Sequence, residues 1–197
     1  MKKFILPIIL ITGLSAQMDF AVGGGLNLAN IGGDDTKDLD PTMKIGVALG
    51  GSATFDFDLP VLIRAEVLFS QKGYKYEESE EGYSVEASIG INYLDINPLA
   101  VYTVNDQISV FAGPSLGMFL GGKTEFTVEL LGESETEEED IESDDMNGMD
   151  FGLIFGGGYN LGIVTVEARY SLGLKNAYDE DSDVKNNVIQ ILVSYAL

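Results

Sequence analysis

The chain contains no cysteine, no histidine and no tryptophan among its 197 residues. Without cysteine it has neither disulfide bonds nor thiol chemistry, and without histidine it lacks the usual general base of nucleophilic catalysis. These absences exclude Cys- and His-dependent hydrolases, including those built on membrane barrels. Any catalysis would have to depend on carboxylates alone.

Long apolar runs are also missing beyond the first 16 residues. A membrane-spanning helix needs about 18 or more consecutive apolar residues, and no such window occurs there. The composition is nonetheless apolar, with 45% hydrophobic residues and a mean hydropathy of +0.12. If the chain crosses a membrane, we expect it to do so with strands.

The first 16 residues have the layout of a secretory signal peptide. Lys2 and Lys3 precede an apolar run at 4–10, and small residues follow up to Ala16. The alternative is an N-terminal anchor helix, but this run is shorter than the roughly 20 residues that such a helix needs. We therefore predict a signal peptide at 1–16 and a single domain at 17–197.

Polar and apolar side chains alternate in the stretch 164–172. One face carries Thr165, Glu167, Arg169 and Ser171, and the other carries Val164, Val166, Ala168, Tyr170 and Leu172. The stretch 62–71 repeats this pattern with Arg64 and Glu66 on its polar face. In a soluble sheet those charges would be buried in the core, whereas in a membrane barrel the apolar face meets lipid and the polar face lines the lumen.

Eight segments with this character can be read as strands. They lie near residues 20–29, 43–57, 61–71, 83–102, 108–120, 149–159, 163–172 and 188–197. Short links alternate with long ones at 30–42, 72–82, 121–148 and 173–187, which is typical of tight periplasmic turns and longer outer loops. The predicted fold is all-β, an eight-stranded antiparallel up-and-down transmembrane β-barrel in the outer membrane of a Gram-negative-type bacterium.

Several segments are similar to one known family. They are GGGLNLAN at 23–30, AEVLFSQKGY at 65–74, YLDI at 93–96, AGPSLG at 112–117, DFGL at 150–153 and RYSLGL at 169–174. On these segments the chain resembles the outer membrane protein β-barrel domain family, the small porin-family or PorT-like barrels. The resemblance implies a fold and a location. It implies no particular chemistry, because these motifs are structural.

Charged residues on the polar faces are the candidate interior site. Arg64 and Glu66 lie on the third predicted strand, Glu167 and Arg169 on the seventh, and these strands face each other across an eight-stranded barrel. Such an interior is only about wide enough for side chains, so we expect a salt-bridged plug. The alternative is a narrow selective channel or proton path. Lys44 and Asp56 are candidate further members of this lumen charge network.

Acidic residues dominate the chain, with 32 Asp and Glu against 11 Lys and Arg and a net charge of -21. Most lie in the predicted outer loops. The densest run is a possible weak cation-binding loop containing Glu137, Glu138, Glu139, Asp140, Asp144 and Asp145. Divalent cations could bridge this run to lipopolysaccharide; the alternative, which we favour, is a solvated, self-repelling and mobile loop. The charge argues against nucleic acid as a partner.

These observations predict a structural or surface-interaction role through acidic outer loops. One alternative is a narrow pore or conduit for small or amphiphilic solutes. Another, a soluble lipocalin-like barrel, would need an apolar interior, and the charges of the third and seventh strands argue against it. We expect no enzymatic activity, no cofactor and no specific metal site, and we expect outer-membrane lipid and lipopolysaccharide as surroundings.

Overall fold

The computed structural model describes residues 17–37, 40–80, 83–130, 133–141, 146–178 and 183–197. The predicted signal peptide at 1–16 lies outside the described residues, as do Asp144 and Asp145 of the acidic run. Within the described part of the chain, no helix is long and apolar enough to cross a membrane. A short 3-10 turn, Asp34–Thr36, follows the first strand.

Nine strands make up almost all of the described chain. They are β1 (Gln17–Gly32), β2 (Thr42–Asp56), β3 (Leu62–Glu80), β4 (Tyr83–Thr103), β5 (Ile108–Leu130), β6 (Glu133–Ile141), β7 (Met149–Asn160), β8 (Val164–Gly173) and β9 (Lys185–Ala196). Every strand pair is antiparallel.

Eight of these strands close into a ring, which confirms the predicted fold. The order is β1, β2, β3, β4, β5, β7, β8 and β9, and β9 pairs back onto β1 with Leu26 opposite Ile191. Closure satisfies the backbone hydrogen bonds of both edge strands, which is the condition for strands to cross a bilayer. The ninth strand, β6, pairs with the upper part of β5 and stands outside the ring.

The alternation of side chains fixes which face of each strand points inward. On β9, Gln190 and Leu192 are buried while Ile191 and Val193 are exposed. On β2, Ile45 and Leu49 are exposed by 67% and 57%, more than a water-soluble surface would tolerate as a continuous band. The inside-out pattern of the sequence is therefore confirmed, with an apolar outer wall around a polar interior.

Two of the predicted long loops are strands instead. Residues 72–80 extend β3 and residues 121–130 extend β5, of which residues 122–130 pair with β6. The acidic residues of this region pointed to a mobile loop, but Lys75 pairs with Glu86 at 2.6 Å and Lys123 with Glu138 at 2.9 Å across the extended strands. The parts of β3, β4 and β5 that lie farthest from the short turns form a four-stranded sheet with β6, which we call the protruding sheet.

Two irregularities bend the wall where the protruding sheet begins. Between Met43 and Ala48, β2 has one residue more than the matching part of β3. On β5 the register with β4 shifts by one, since Tyr93 lies opposite Phe119 and Asn92 opposite Gly121. An extra residue of this kind is a β-bulge, and it changes the face to which the neighbouring side chains point.

Candidate functional site

Four charged side chains meet in the barrel interior, and we call them the lumen quartet. Arg64 Nη1 donates a hydrogen bond to Glu167 Oε1 at 2.5 Å, and Arg169 Nη1 donates one to Glu66 Oε2 at 2.7 Å. Arg64 Nε also lies 3.1 Å from Glu66 Oε1. The two arginines and two glutamates balance in charge, as buried ions must if they are not to be very costly.

The quartet depends on the reversed order of charges on two strands. Strand β3 carries Arg-Ala-Glu at 64–66 and β8 carries Glu-Ala-Arg at 167–169. Both strands start from short turns and run in the same direction across the lumen, so each contact joins residues the same 103 positions apart. Arginine therefore faces glutamate at both levels. Strands β2, β1 and β9 separate β3 from β8 in the ring, so these contacts cross the interior.

Uncharged polar side chains continue the quartet around the lumen wall. Arg169 Nε donates to Gln190 Oε1 at 2.8 Å, and Gln190 Nε2 in turn donates to Asn27 Oδ1 at 2.8 Å. Asn27 reaches Ser70 Oγ at 3.0 Å. Each of these side chains is buried, and such buried polar groups are stable only when their hydrogen bonds are made.

Apolar side chains fill the interior beside the polar ones. Leu99, Val101, Phe111 and Ile154 form one buried cluster, and Ala48, Leu68 and Leu192 form another. The Arg64 guanidinium lies over the Phe111 ring at 4.6 Å from its centroid, a cation–π contact. The Arg64 guanidinium is thus packed against the first of these apolar clusters.

A polar cavity of about 250 Å³ opens at the end of the barrel that carries the short turns. Arg64 and Glu167 line it, together with Asp19, Thr54, Asn105 and Thr165. We call it the vestibule. It reaches Arg64 and Glu167, the pair of the quartet nearest to the short turns.

A second charged cluster lies nearer the protruding sheet. Lys72 Nζ donates to Asp95 Oδ1 at 3.0 Å and to Asp150 Oδ2 at 2.9 Å, and it lies 4.8 Å from the centre of the Tyr93 ring. Asn186 Nδ2 also donates to Asp150, at 3.3 Å. Gly117 leaves room for this group, because a Cβ there would lie 2.8 Å from Asp95 Oδ1.

This cluster was not predicted from the sequence although its signals were present. The third strand was predicted to end at Gln71, which left Lys72 in a loop, and Asp95 and Asp150 were interpreted only as parts of family motifs. The alternation 64, 66, 68, 70 continues to 72 on the inner face. Following it one step further would have placed a lysine in the lumen.

Two predicted members of the lumen network lie elsewhere. Lys44 Nζ donates a hydrogen bond to Ser88 Oγ at 2.5 Å, far up the wall, because the extra residue in β2 changes its direction. Asp56 is exposed at the short turn, where its Oδ1 accepts the backbone N–H of Asp58 at 2.9 Å. Neither residue contacts the quartet among the described hydrogen bonds and ion pairs.

Four acids of the proposed cation-binding loop are placed on β6. Glu137, Glu138 and Glu139 and Asp140 are all exposed, and the strand alternation divides them between its two faces. Within the described ranges, no group of three or more acidic side chains is arranged to hold a metal ion. The pKa of Lys123 is raised by its hydrogen bond to Glu138.

The loops after β1 and before β9 are joined by a reciprocal contact. The Asp34 backbone N–H donates to Asp183 Oδ2 at 2.8 Å, and the Asp183 backbone N–H donates to Asp35 Oδ2 at 2.7 Å. Gly33 has φ 131°, and a Cβ there would collide with the Asp183 carbonyl oxygen. Lys185 and the Asp34 N–H hold the pKa of Asp183 below its usual value.

Comparison with known proteins agrees with this architecture. Residues 15–179 match the outer membrane protein β-barrel domain family. Among curated proteins, none matches the chain.

Solved structures of similar shape are outer-membrane proteins. Neisserial surface protein A is 13% identical with a TM-score of 0.52, over 89% of this chain and 96% of that one. Ail, the attachment invasion locus protein of Yersinia pestis, is 16% identical with a TM-score of 0.47, over 91% and 98%. OprG from Pseudomonas aeruginosa is 13% identical with a TM-score of 0.38, over 92% and 97%. At such identity, the likeness to the Neisserial protein shows a shared fold alone.

Proposed function

The chain belongs to the outer membrane protein β-barrel domain family, and from that premise we propose that it is a closed barrel acting through its acidic outer surface. It resides in the outer membrane of a Gram-negative-type bacterium. In such barrels the short turns face the periplasm and the longer connections face outward. The protruding sheet is then the part of the protein that the exterior meets.

The lumen quartet is the observation that supports closure. Its side chains cross the interior, and the Arg169 side chain is 0% exposed. The cluster around Lys72 crosses the lumen again at another depth, with the Lys72 and Asp150 side chains 3% and 7% exposed. An ion that passed through would have to break both clusters, each of which is costly to leave unpaired. We propose no catalytic role for the quartet, since each glutamate is held by an arginine.

The protruding sheet is the observation that supports a surface role. On one of its faces Glu133, Glu135, Glu137 and Glu139 of β6 lie directly opposite Leu130, Val128, Phe126 and Thr124 of β5. Phe126 and Leu130 are 43% and 55% exposed. A row of carboxylates beside exposed apolar side chains fits a partner that is cationic and partly apolar.

The vestibule supports the second candidate, a narrow pore or conduit for small or amphiphilic solutes. Its polar lining leads from the periplasmic side to Arg64 and Glu167. If the quartet opens, this cavity becomes the entrance of a channel. The closed barrel is the better supported of the two because the quartet is paired at both levels.

Planar-bilayer conductance of the refolded protein separates the two candidates. A closed barrel gives a silent bilayer for the natural sequence, while the triple variant Arg64→Ala, Lys72→Ala, Arg169→Ala gives measurable conductance because both clusters that cross the lumen lose their cations. A matched control, Lys37→Ala, Lys175→Ala, Lys185→Ala, removes the same charge from outer residues and stays silent. Stable steps from the natural sequence that change with the two arginines would establish the pore instead.

Binding of octalysine to the protein in lipid nanodiscs tests the surface role. The variant Glu135→Gln, Glu137→Gln, Glu139→Gln removes three charges from β6, and we expect it to weaken binding several-fold. The control Asp19→Asn, Asp56→Asn, Asp106→Asn removes the same charge near the short turns. Equal weakening by both variants would mean that octalysine responds to net charge alone, which contradicts a role for the sheet.

Partners other than a cationic protein segment remain part of this proposal. Divalent cations could collect along β6 and bridge it to the anionic head groups of lipopolysaccharide. Calcium added to the nanodisc experiment would then compete with octalysine, and the β6 variant would abolish the competition. Nucleic acid is an unsuitable partner because phosphates and this surface have the same sign of charge.

We also infer that residues 1–16 direct export and are then removed. Their basic start, apolar run and small residues at the end are the supporting features. The intact mass of protein isolated from the outer membrane should correspond to a chain that begins at Gln17. A mass that includes Met1 would contradict cleavage and favour the anchor helix.

A further inference from the structure

A notch of about 270 Å³ lies at the base of the protruding sheet. Its lining contains two lysines and one glutamate, in a chain of net charge -21. The side chains that line it include Lys44, Ile45, Gln71, Asn92, Lys123 and Glu125.

The notch opens on the outer wall and is separate from the lumen. Gly90 and Asn92, which line it, alternate along β4 with Ile91 and Tyr93. Ile91 and Tyr93 are both 0% exposed and belong to a buried cluster inside the barrel. Since successive side chains of a strand point to opposite faces, Gly90 and Asn92 face outward.

The notch lies at the level where the outer wall changes from apolar to polar. On β4 the outward residues from Tyr102 to Leu94 are apolar, and Asn92 is the first polar one. On β3 the change comes between Phe69 and Gln71, and on β5 between Leu120 and Lys123. The apolar stretch of β4 covers nine positions, about the length of a strand that crosses a bilayer. The notch is therefore at the outer boundary of the membrane.

Lys44 reaches the notch because of the bulge in β2. Its Cε and Nζ would lie 3.2 and 3.7 Å from a Cβ on Gly90, so the glycine provides the space that the side chain occupies. Its Nζ donates to Ser88 Oγ, while Lys123 on the other side of the notch pairs with Glu138. Each lysine ammonium group has three protons, so both lysines keep protons that can be donated to a further acceptor.

We propose that the notch binds the phosphorylated sugar head group of a glycolipid in the outer leaflet. Lys44 and Lys123 supply the positive charge for a phosphate. The side-chain oxygens of Gln71, Asn92 and Glu125 accept hydrogen bonds from sugar hydroxyls, which inorganic phosphate lacks. Ile45, 67% exposed, lies against the acyl chains below.

This site is independent of the proposed closure and of the acidic face of the protruding sheet. It uses outward residues of β2 to β5, and the lumen quartet could open or close without changing it. Lipid molecules surround any membrane barrel without specific binding. A lipid held by its phosphate, in contrast, depends on these two lysines. The proposal therefore predicts selectivity for phosphorylated glycolipid.

Native mass spectrometry of the detergent-solubilised protein, titrated with diphosphoryl lipid A, tests the proposal. A lysine near an anionic lipid surface contributes a factor of about fivefold, so Lys44→Gln, Lys123→Gln should weaken binding by about 25-fold. The control Lys37→Gln, Lys175→Gln carries the same charge change elsewhere on the outer side and should bind as the natural sequence does. Lys44→Arg should retain most of the affinity, because it keeps the charge.

Three probes separate the sources of binding. Dephosphorylated lipid A and phosphatidylglycerol should bind more weakly than diphosphoryl lipid A, and the lysine variants should not weaken the dephosphorylated lipid further. Inorganic phosphate should not compete at concentrations equal to that of the lipid. Equal binding of all the lipids, equal losses in the control variant, or full competition by inorganic phosphate would each overturn the proposal. Electrophoretic heat-modifiability of every variant verifies that the barrel is folded.

Discussion

Arg64 and Glu167 lie 103 residues apart in the chain and meet across the barrel with Nη1 and Oε1 2.5 Å apart. Two positions further along each strand the same separation joins Glu66 to Arg169 at 2.7 Å. The two contacts have opposite polarity, so the pairing depends on the order of the charges as well as on their presence. This dependence allows a test in which the composition of the chain is unchanged.

Reversing the charges on one strand should destabilise the barrel. In Arg64→Glu, Glu66→Arg, like charges face each other at both levels, and we expect a loss of about 3 to 5 kcal/mol in the free energy of unfolding. Adding Glu167→Arg, Arg169→Glu reverses the other strand and should recover most of it. Urea unfolding of protein refolded into phospholipid vesicles measures both. A fourfold variant no more stable than the twofold one would mean that the charges do not pair across the lumen.

Removing the charge of Lys72 alone should destabilise the barrel more than removing it together with the charges of Asp95 and Asp150. Lys72→Met leaves Asp95 and Asp150 buried and facing each other, and we expect about 3 to 5 kcal/mol of destabilisation. The triple variant Lys72→Met, Asp95→Asn, Asp150→Asn removes all the charges and should be more stable than the single one. The same urea titration compares them. If the triple variant is the weaker, hydrogen bonding by the two carboxylates outweighs their repulsion.

The outer wall should reject a charge at its centre. Val193 is 48% exposed in the middle of the outward row of β9, and Val193→Arg should cost about 2 to 4 kcal/mol, the usual value for arginine at the bilayer midplane. Leu161→Arg makes a comparable change at a short turn, where the cost should be about 0 to 1 kcal/mol. Folding yield into vesicles and urea unfolding measure the difference. Equal costs would refute the assignment of the outward face.

The contact between the outer loops should be lost in acid. Lys185 and the Asp34 N–H favour the ionised form of Asp183, so its folded pKa lies below 3.8. A carboxyl with a depressed pKa stabilises the contact above its unfolded pKa, and this stabilisation disappears as the pH falls through the folded pKa. The Asp34 amide chemical shift in micelles should titrate below pH 3.8, and Lys185→Gln should raise the midpoint. Lys175→Gln is the control, and a midpoint at or above 3.8 in the natural sequence would contradict the contact.

The inward and outward faces were predictable because alternation is a local property. Successive side chains of a strand point to opposite faces. The polar Glu167 and the apolar Val166 are therefore enough to tell which face of β8 points to the lumen and which to lipid. The same property, with the even number of strands, was enough to predict a ring of eight. The predicted ends of β3 and β5 were wrong, because acidic residues such as Glu77 and Glu125 indicated loops where the structure has paired strands.

Which residues meet was decided by the tertiary structure. Alternation cannot say how far each strand is shifted along its neighbour, and that shift sets the depth at which Arg64 finds Glu167. A single extra residue in β2 moves Lys44 from the predicted lumen network to the outer wall. The sequence by itself determined the faces and the ring, because both follow from local periodicity; the register and the bulges, which depend on all the strands together, determined the ion pairs and the notch.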